Sequence, residues 1–286
     1  MKILVTGGNG QLGSELKCLS ENHNQFEWIF TDLNELNLLD FSNLKKNISK
    51  ISPNIIINCA AYTNVDKAES EFELANLVNF KAVDIISDWS SCHKCKLIHI
   101  STDYVFDGNS EIPLKEDANT SPINIYGTTK LNGENACLKN DPNSIIIRTS
   151  WVYSSFGKNF VKTMSSLMSK KNSLNIINDQ IGSPTYAKDL ADTIIKIINF
   201  QDWIPGLYHY SNEGEVSWFV FAKSIKKFFG YNTKLNGIST DEYPTPAKRP
   251  RYSLLDKSKI KTTFNIKVPN YEISLEKCIK ILKNEK

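Results

Sequence analysis

Apolar positions in the first half of the chain follow two alternating rhythms. Short continuous runs, rich in β-branched residues and bounded by glycine, proline or polar residues, occupy 2–6, 26–30, 54–58, 97–100 and 144–148. Runs that are continuous at this length read as strands buried on both faces. Between them the apolar residues take helical spacing: from the glycines after residue 6 to about Leu19, over 41–51, over 67–91 as one long helix, and from about Tyr126 to Leu138. Strands alternating with helices predict crossover connections and a parallel sheet covered on both sides. Ligands in such sheets lie beyond the carboxyl ends of the strands, where the strand order reverses.

Past residue 150 the rhythm loosens. The spacing predicts helices over 160–168 and 188–198, and a proline-rich stretch runs from Tyr243 to Pro250 among short mixed elements. The expectation is α/β: a Rossmann-like, doubly wound parallel sheet over 1–150, and a smaller α/β lobe formed mainly by 151–286. The helix at 188–198 could pack back on the first sheet. No internal repeat interrupts this division.

Composition narrows the function. The 286 residues carry 34 basic and 31 acidic side chains, a formal charge of +3. That is too weak a field for nucleic acid or an anionic membrane as the main partner. No stretch approaches the roughly 18 apolar residues of a membrane span. The first apolar run stops at Val5, short of a signal-peptide core, so a cytoplasmic protein is expected. Six cysteines are scattered along the chain. Cys92 and Cys95 have zinc-knuckle spacing but no second pair, so reduced thiols are expected.

The first strand runs into Gly7-Gly8-Asn9-Gly10-Gln11-Leu12-Gly13. Glycines at 7, 10 and 13 between a strand and a helix suit a dinucleotide pyrophosphate. One permits positive φ, one lets the phosphate approach backbone, and the helix N-terminus offers free N–H groups. Asp32 follows the second strand and is placed to accept the adenosine ribose hydroxyls, which favours NADH over NADPH.

A second constellation lies further on. Tyr126 and Lys130 open a predicted helix and, four residues apart, share one face. A free phenol, with a pKa of about 10, is a sluggish acid at neutral pH, and a neighbouring ammonium is expected to lower it. Lys130 could also reach the nicotinamide ribose. Ser101-Thr102-Asp103 ends the fourth strand, where a hydroxyl can hold a substrate carbonyl beside that phenol. The chemistry these residues suggest is ketone reduction with Tyr126 as proton donor.

These motifs, with Ala60-Ala61-Tyr62-Thr63, Arg148-Thr149-Ser150-Trp151, Asn178-Asp179-Gln180 and Tyr243-Pro244-Thr245-Pro246-Ala247, resemble the extended short-chain dehydrogenase/reductases. Within that group the chain resembles the dTDP-4-dehydrorhamnose reductases through nearly its whole length. The resemblance implies that Gly10, Gln11 and Leu12 meet the pyrophosphate, and that Asp40 and Phe41 lie near the adenine. It implies that Ala61, Tyr62 and Thr63 line the cofactor, which is NADH or NADPH. Thr102, Tyr126 and Lys130 become the catalytic trio, and Thr102, Asp103 and Trp151 contact the sugar nucleotide. The implied reaction reduces the C4 ketone of dTDP-4-dehydro-L-rhamnose to dTDP-L-rhamnose. A reductase of another nucleotide-linked 4-keto sugar would share every one of these residues. A non-catalytic subunit resembling the regulatory subunit of methionine adenosyltransferase could also retain the Tyr and Lys.

Some members are described as metal-bridged dimers. Glu15 is present here, but Ala187-Lys188-Asp189 stands where a further glutamate is needed. No metal is therefore expected, in a monomer or homodimer. Lys248-Arg249-Pro250-Arg251 reads as a solvated charge run, a partner for substrate phosphates or a partner for an interdomain carboxylate.

Overall fold

In the computed structural model, which describes residues 1–284, the five apolar runs are parallel strands. They are β1 (Lys2–Thr6), β2 (Glu27–Thr31), β3 (Ile55–Asn58), β4 (Lys96–Thr102) and β5 (Ile145–Thr149). Each alternates between two cores. Ile3 and Val5 of β1, Ile55 and Ile57 of β3, and Ile145 and Ile147 of β5 point into one cluster. Leu4, Ile56 and Ile146 point into the other. That is why β1, β3 and β5 read as unbroken apolar runs: neither face meets water.

Helices cover both faces. On the first lie α1 (Gln11–Ser20), through Leu12 and Leu16, and a later helix, Ala187–Ile198, through Leu190, Ile194 and Ile198. On the second lie α2 (Leu44–Ile51), a helix over Ala82–His93 and a helix over Ile125–Asn140. The helix Ala187–Ile198 therefore packs back on the first sheet beside α1.

The structure differs from the expectation of one long helix over 67–91. The segment consists of α3 (Val65–Ala68), α4 (Phe72–Asn76), a π turn at Leu77–Lys81, and α5 (Ala82–His93). The cause is tertiary. Asn79, fully buried, accepts from the Tyr62 backbone N–H at 2.8 Å and donates to the Tyr62 carbonyl and the Thr129 hydroxyl, each at 3.1 Å. The π turn lets that side chain leave the helix and tie three segments together. The helix predicted over 41–51 begins only at Leu44, because the Asp40 carboxylate accepts from Ser42 and Asn43 and holds a turn there.

The large sheet has a sixth strand, Gly206–His209, giving the order Gly206–His209, β5, β4, β3, β1, β2. All its pairings are parallel. The chain leaves β1 for β2 on one side and returns to β3 on the other. The order thus reverses between β1 and β3, where a crevice must open.

The remaining helices are α6 (Ile125–Asn140), α7 (Phe160–Met168), α8 (Ala187–Ile198), α9 (Trp218–Phe229), α10 (Ser258–Thr263) and α11 (Tyr271–Asn284). A separate core joins Val161 and Met164 of α7, Phe221 and Ile225 of α9, and Leu275 and Ile279 of α11. Beside it strand Ser173–Ile177 pairs in parallel with Lys234–Ile238.

Candidate active site

A cleft of about 630 Å³ runs across the switch point. Gly7, Gly10, Gln11, Leu12, Gly13 and Asp32 wall one end, Ala61 and Thr63 the middle, and Tyr126 and Lys130 the other. At the first end close packing demands glycine. Gly7 has φ +66°, and a Cβ on it would come within 2.8 Å of the Ala60 backbone. A Cβ on Gly13 would stand 2.3 Å from the Gly7 carbonyl oxygen. α1 therefore starts directly behind the turn. Its N-cap, Gly10, brings no side-chain hydrogen bond, so the first N–H groups face the cleft. Asp32 buttresses the turn by accepting from the Asn9 N–H at 2.9 Å.

Not every residue assigned to the cofactor reaches this wall. Asp40 is engaged with Ser42 and Asn43, and Phe41 packs against the core around Leu4. The wall beyond Asp32 is built instead by Leu33 and by Leu36 to Leu39, for which the sequence offered no signal. Tyr62 turns its phenol to Glu71, donating at 2.6 Å, and packs its ring near Tyr126. The Gln11 amide is also occupied: it donates to the Val152 carbonyl at 3.3 Å and accepts from Asn159 at 2.9 Å.

At the other end α6 sets the chemistry. Asn124 caps it, accepting from the Gly127 N–H at 2.7 Å. A Cβ on Gly127 would lie 2.1 Å from the Tyr104 carbonyl oxygen. This contact seats the helix on the turn Asp103–Val105 and brings Tyr126 to Thr102. The Tyr126 phenol is buried beside the Thr102 hydroxyl. Burial pushes it up to about 12, against the opposing effect of Thr102.

The expected lowering of the phenol by Lys130 is therefore not found. Lys130 is itself buried, and its Nζ donates to the Ile100 carbonyl at 2.6 Å. Burial brings the ammonium down to about 8, with Glu134 opposing. Both groups are moved by loss of water more strongly than by one another. The outcome still suits reduction, since the phenol holds its proton throughout the neutral range. Thr102 donates to Asp103 at 3.1 Å, and burial pushes the Asp103 carboxyl up to about 6.

Behind this pair stands a buried network that motif reading missed. Arg148 of β5 donates to Glu134 of α6 at 2.7 and 2.9 Å, and Ser101 also donates to Glu134. His209 of the sixth strand lies 3.5 Å from Arg148; burial first, then that guanidinium, brings its imidazole down to about 3. A signal existed: an arginine ending an apolar strand needs a buried partner.

Trp151 takes φ +47° just past β5 and stacks on Trp218 of α9, with centroids 3.6 Å apart. Arg249 pairs with Asp66 of α3 at 2.8 Å and donates to the Thr245 hydroxyl at 2.7 Å. Its partner is thus a carboxylate 183 residues away in the chain, whereas Arg251 is exposed, 3.8 Å from Asp241. Glu15 is buried, accepts from the Ser154 hydroxyl at 2.6 Å, and is pushed up by that burial. Among the described residues no group of three or more His, Cys, Asp or Glu side chains could hold a metal ion. None of the six cysteines forms a disulfide, and no described helix is long and apolar enough to cross a membrane.

The family model described as RmlD substrate binding domain matches residues 1–284. The dTDP-4-dehydrorhamnose reductase of Aggregatibacter actinomycetemcomitans is 39% identical over 285 residues, spanning 96% of this chain and 97% of that protein. The solved structure of a dTDP-4-dehydrorhamnose reductase from Clostridium acetobutylicum superposes with a TM-score of 0.94 at 38% identity, covering 99% of this chain and 100% of that one. The enzyme of that name from Bacillus anthracis, solved in complex with NADP, gives 0.93 at 38% identity, covering 97% and 98%.

Proposed function

The chain belongs to the family of the dTDP-4-dehydrorhamnose reductases, and from that premise we propose that it reduces the C4 ketone of dTDP-4-dehydro-L-rhamnose to dTDP-L-rhamnose. One observation carries the reading: a single cleft has a glycine-lined turn at one end and a buried phenol and lysine, with Thr102 beside the phenol, at the other. The turn fits a dinucleotide, because the close backbone contacts of Gly7 and Gly13 set the start of α1 directly behind it, and Gly10 on the cleft wall puts no side chain in the way of a pyrophosphate.

A bound reduced nicotinamide supplies the hydride. Thr102 orients the ketone, and Tyr126, neutral at working pH, gives its proton to the alkoxide that develops as the carbonyl is reduced. Lys130, on the cleft wall with Tyr126, would supply positive charge at that end and would hold the nicotinamide ribose. Asp32 receives the adenosine ribose hydroxyls. No cation lines the wall from Asp32 to Leu39, so a 2′-phosphate would meet a carboxylate unopposed, and NADH is favoured over NADPH. Asp103, just past β4, and Trp151, at the start of the smaller lobe formed mainly by 151–286, contact the sugar nucleotide.

The test is consumption of reduced nicotinamide by the purified protein with enzymatically generated keto sugar. The expected result is keto-sugar-dependent oxidation, with the higher kcat/KM for NADH. No consumption with either cofactor overturns the reading. Consumption with only a different 4-keto sugar nucleotide moves the substrate and keeps the chemistry.

A further inference from the structure

We infer that Lys158 is a further cofactor-binding residue: a cation carried by the smaller lobe that pairs with the dinucleotide's pyrophosphate from the side opposite the glycine turn. The inference rests on the nicotinamide reading above. Lys158 lines the same cleft as Gly7, Gly10 and Gln11 although 145 residues separate it from Gly13. The loop that carries it is held down at three points. Asn159 donates to the Gln11 side chain at 2.9 Å and to the Ser154 carbonyl at 2.8 Å, and it caps α7 by accepting from the Lys162 N–H at 3.1 Å. Gly157, at φ +64°, sits so close to Gln11 that a Cβ would come within 3.1 Å of its Cγ. The residue after Gly157 is thereby delivered over the N-terminus of α1.

Charge gives the loop its purpose. The cleft wall holds two cations, Lys130 and Lys158, and Lys130 is tied to the Ile100 carbonyl at the phenol end. Lys162, one turn on, is likewise committed, donating to the Ser155 carbonyl at 2.8 Å. Lys158 is exposed and has no ion pair or hydrogen bond among the described residues. A pyrophosphate is dianionic, and a helix N-terminus contributes only about half a positive charge. A flexible ammonium facing that N-terminus supplies the missing charge. Cofactor binding then joins the two lobes through a phosphate bridge.

The test uses the full chain and measures NADH and NADPH dissociation constants by calorimetry over a range of salt concentrations. Lys158→Met, which keeps the stem and removes the charge, is expected to weaken both cofactors alike by about tenfold, the size of one charge-assisted hydrogen bond. It should also flatten the salt dependence, and Lys158→Arg should retain most of the affinity. An unchanged NADH affinity in Lys158→Met overturns the inference while leaving the reductase reading intact. So does a loss confined to NADPH, which would put the ammonium at the 2′-phosphate. A wild-type chain that binds neither cofactor overturns the nicotinamide reading, and this inference with it.

Discussion

The two ends of the cleft are built in opposite ways. The glycine end comes from consecutive residues, Gly7 to Gly13, and works through backbone: a positive φ, close approaches that exclude Cβ atoms, and free N–H groups at the start of α1. Its ionisable member, Asp32, is half exposed and braces the turn. The phenol end gathers Thr102, Tyr126 and Lys130 from β4 and α6, buries all three, and needs Arg148 and Glu134 behind them. Binding a dianion by backbone requires little desolvation of side chains. Holding a proton donor and an ammonium in a dry site requires a network to support them. One end is therefore tolerant of its surroundings, and the other depends on residues contributed from β5 and the sixth strand.

The largest effect should come from Tyr126→Phe, which removes the proton donor and keeps the ring that packs against Tyr104. Turnover is expected to fall by about 10²–10⁴, with the NADH dissociation constant changed by no more than about twofold, a free-energy difference of roughly 0.4 kcal/mol. Single-turnover kinetics beside calorimetric titration measures both. A comparable loss of NADH affinity would show that the two ends are not separate devices, and near-normal turnover would remove Tyr126 from the chemistry.

Next comes Arg148→Met. The Arg148–Glu134 pair is buried, with side-chain exposures of 4% and 2%. Removing one partner leaves a carboxylate with uncompensated charge, at a cost of about 3–5 kcal/mol. Urea unfolding should show that loss, and replacing Glu134 by Leu in the same chain should recover most of it. If the double variant is no better than the single, the cost lies in packing around Phe106, over which the guanidinium sits.

The same contrast explains what could be read in advance. Strands β1, β3, β4 and β5 were legible because burial on both faces leaves an apolar run, and the half-buried edge strand β2 because its run of Trp28, Ile29 and Phe30 still packs on both cores. The glycine turn was legible because its geometry is local. The break in 67–91 was not, since it is made by Asn79 reaching Tyr62 and Thr129, contacts that no window of sequence contains. The strand Gly206–His209 hid because it is four residues long, lies at a sheet edge and includes a histidine. Tyr126 and Lys130 were singled out by their spacing together with Ser101-Thr102-Asp103 at the end of β4, and both line the cleft. The effect of the lysine on the phenol was misjudged, because burial acts on each before either acts on the other, and burial is a property of the packed chain. The leucines at 36, 38 and 39 carry no chemistry in their identity, and only the fold turns them toward the cleft.

The smallest effect sharpens the comparison furthest, because it separates chemistry from stability at the phenol end. Lys130 titrates at about 8 in the folded protein against an ordinary 10.5. As pH rises through 8 the folded chain loses that proton and the ammonium that shares the cleft wall with Tyr126 is discharged. Turnover at saturating cofactor should then decline along a one-proton limb centred near pH 8. Tyr126, held at about 12, contributes no limb there. Folding stability moves the other way. Between pH 8 and 10.5 the unfolded chain binds the proton that the folded chain has released, so this group raises stability as pH climbs. A rate that falls while urea midpoints hold or rise assigns the limb to the lysine and not to unfolding. Lys130→Arg, whose charge survives throughout this range, should lose the limb altogether. Glu134→Gln, which removes the carboxylate that opposes burial, should shift it to lower pH. A limb that remains near pH 8 in the arginine variant would detach Lys130 from the rate and leave burial of the phenol as the sole organising feature of that end.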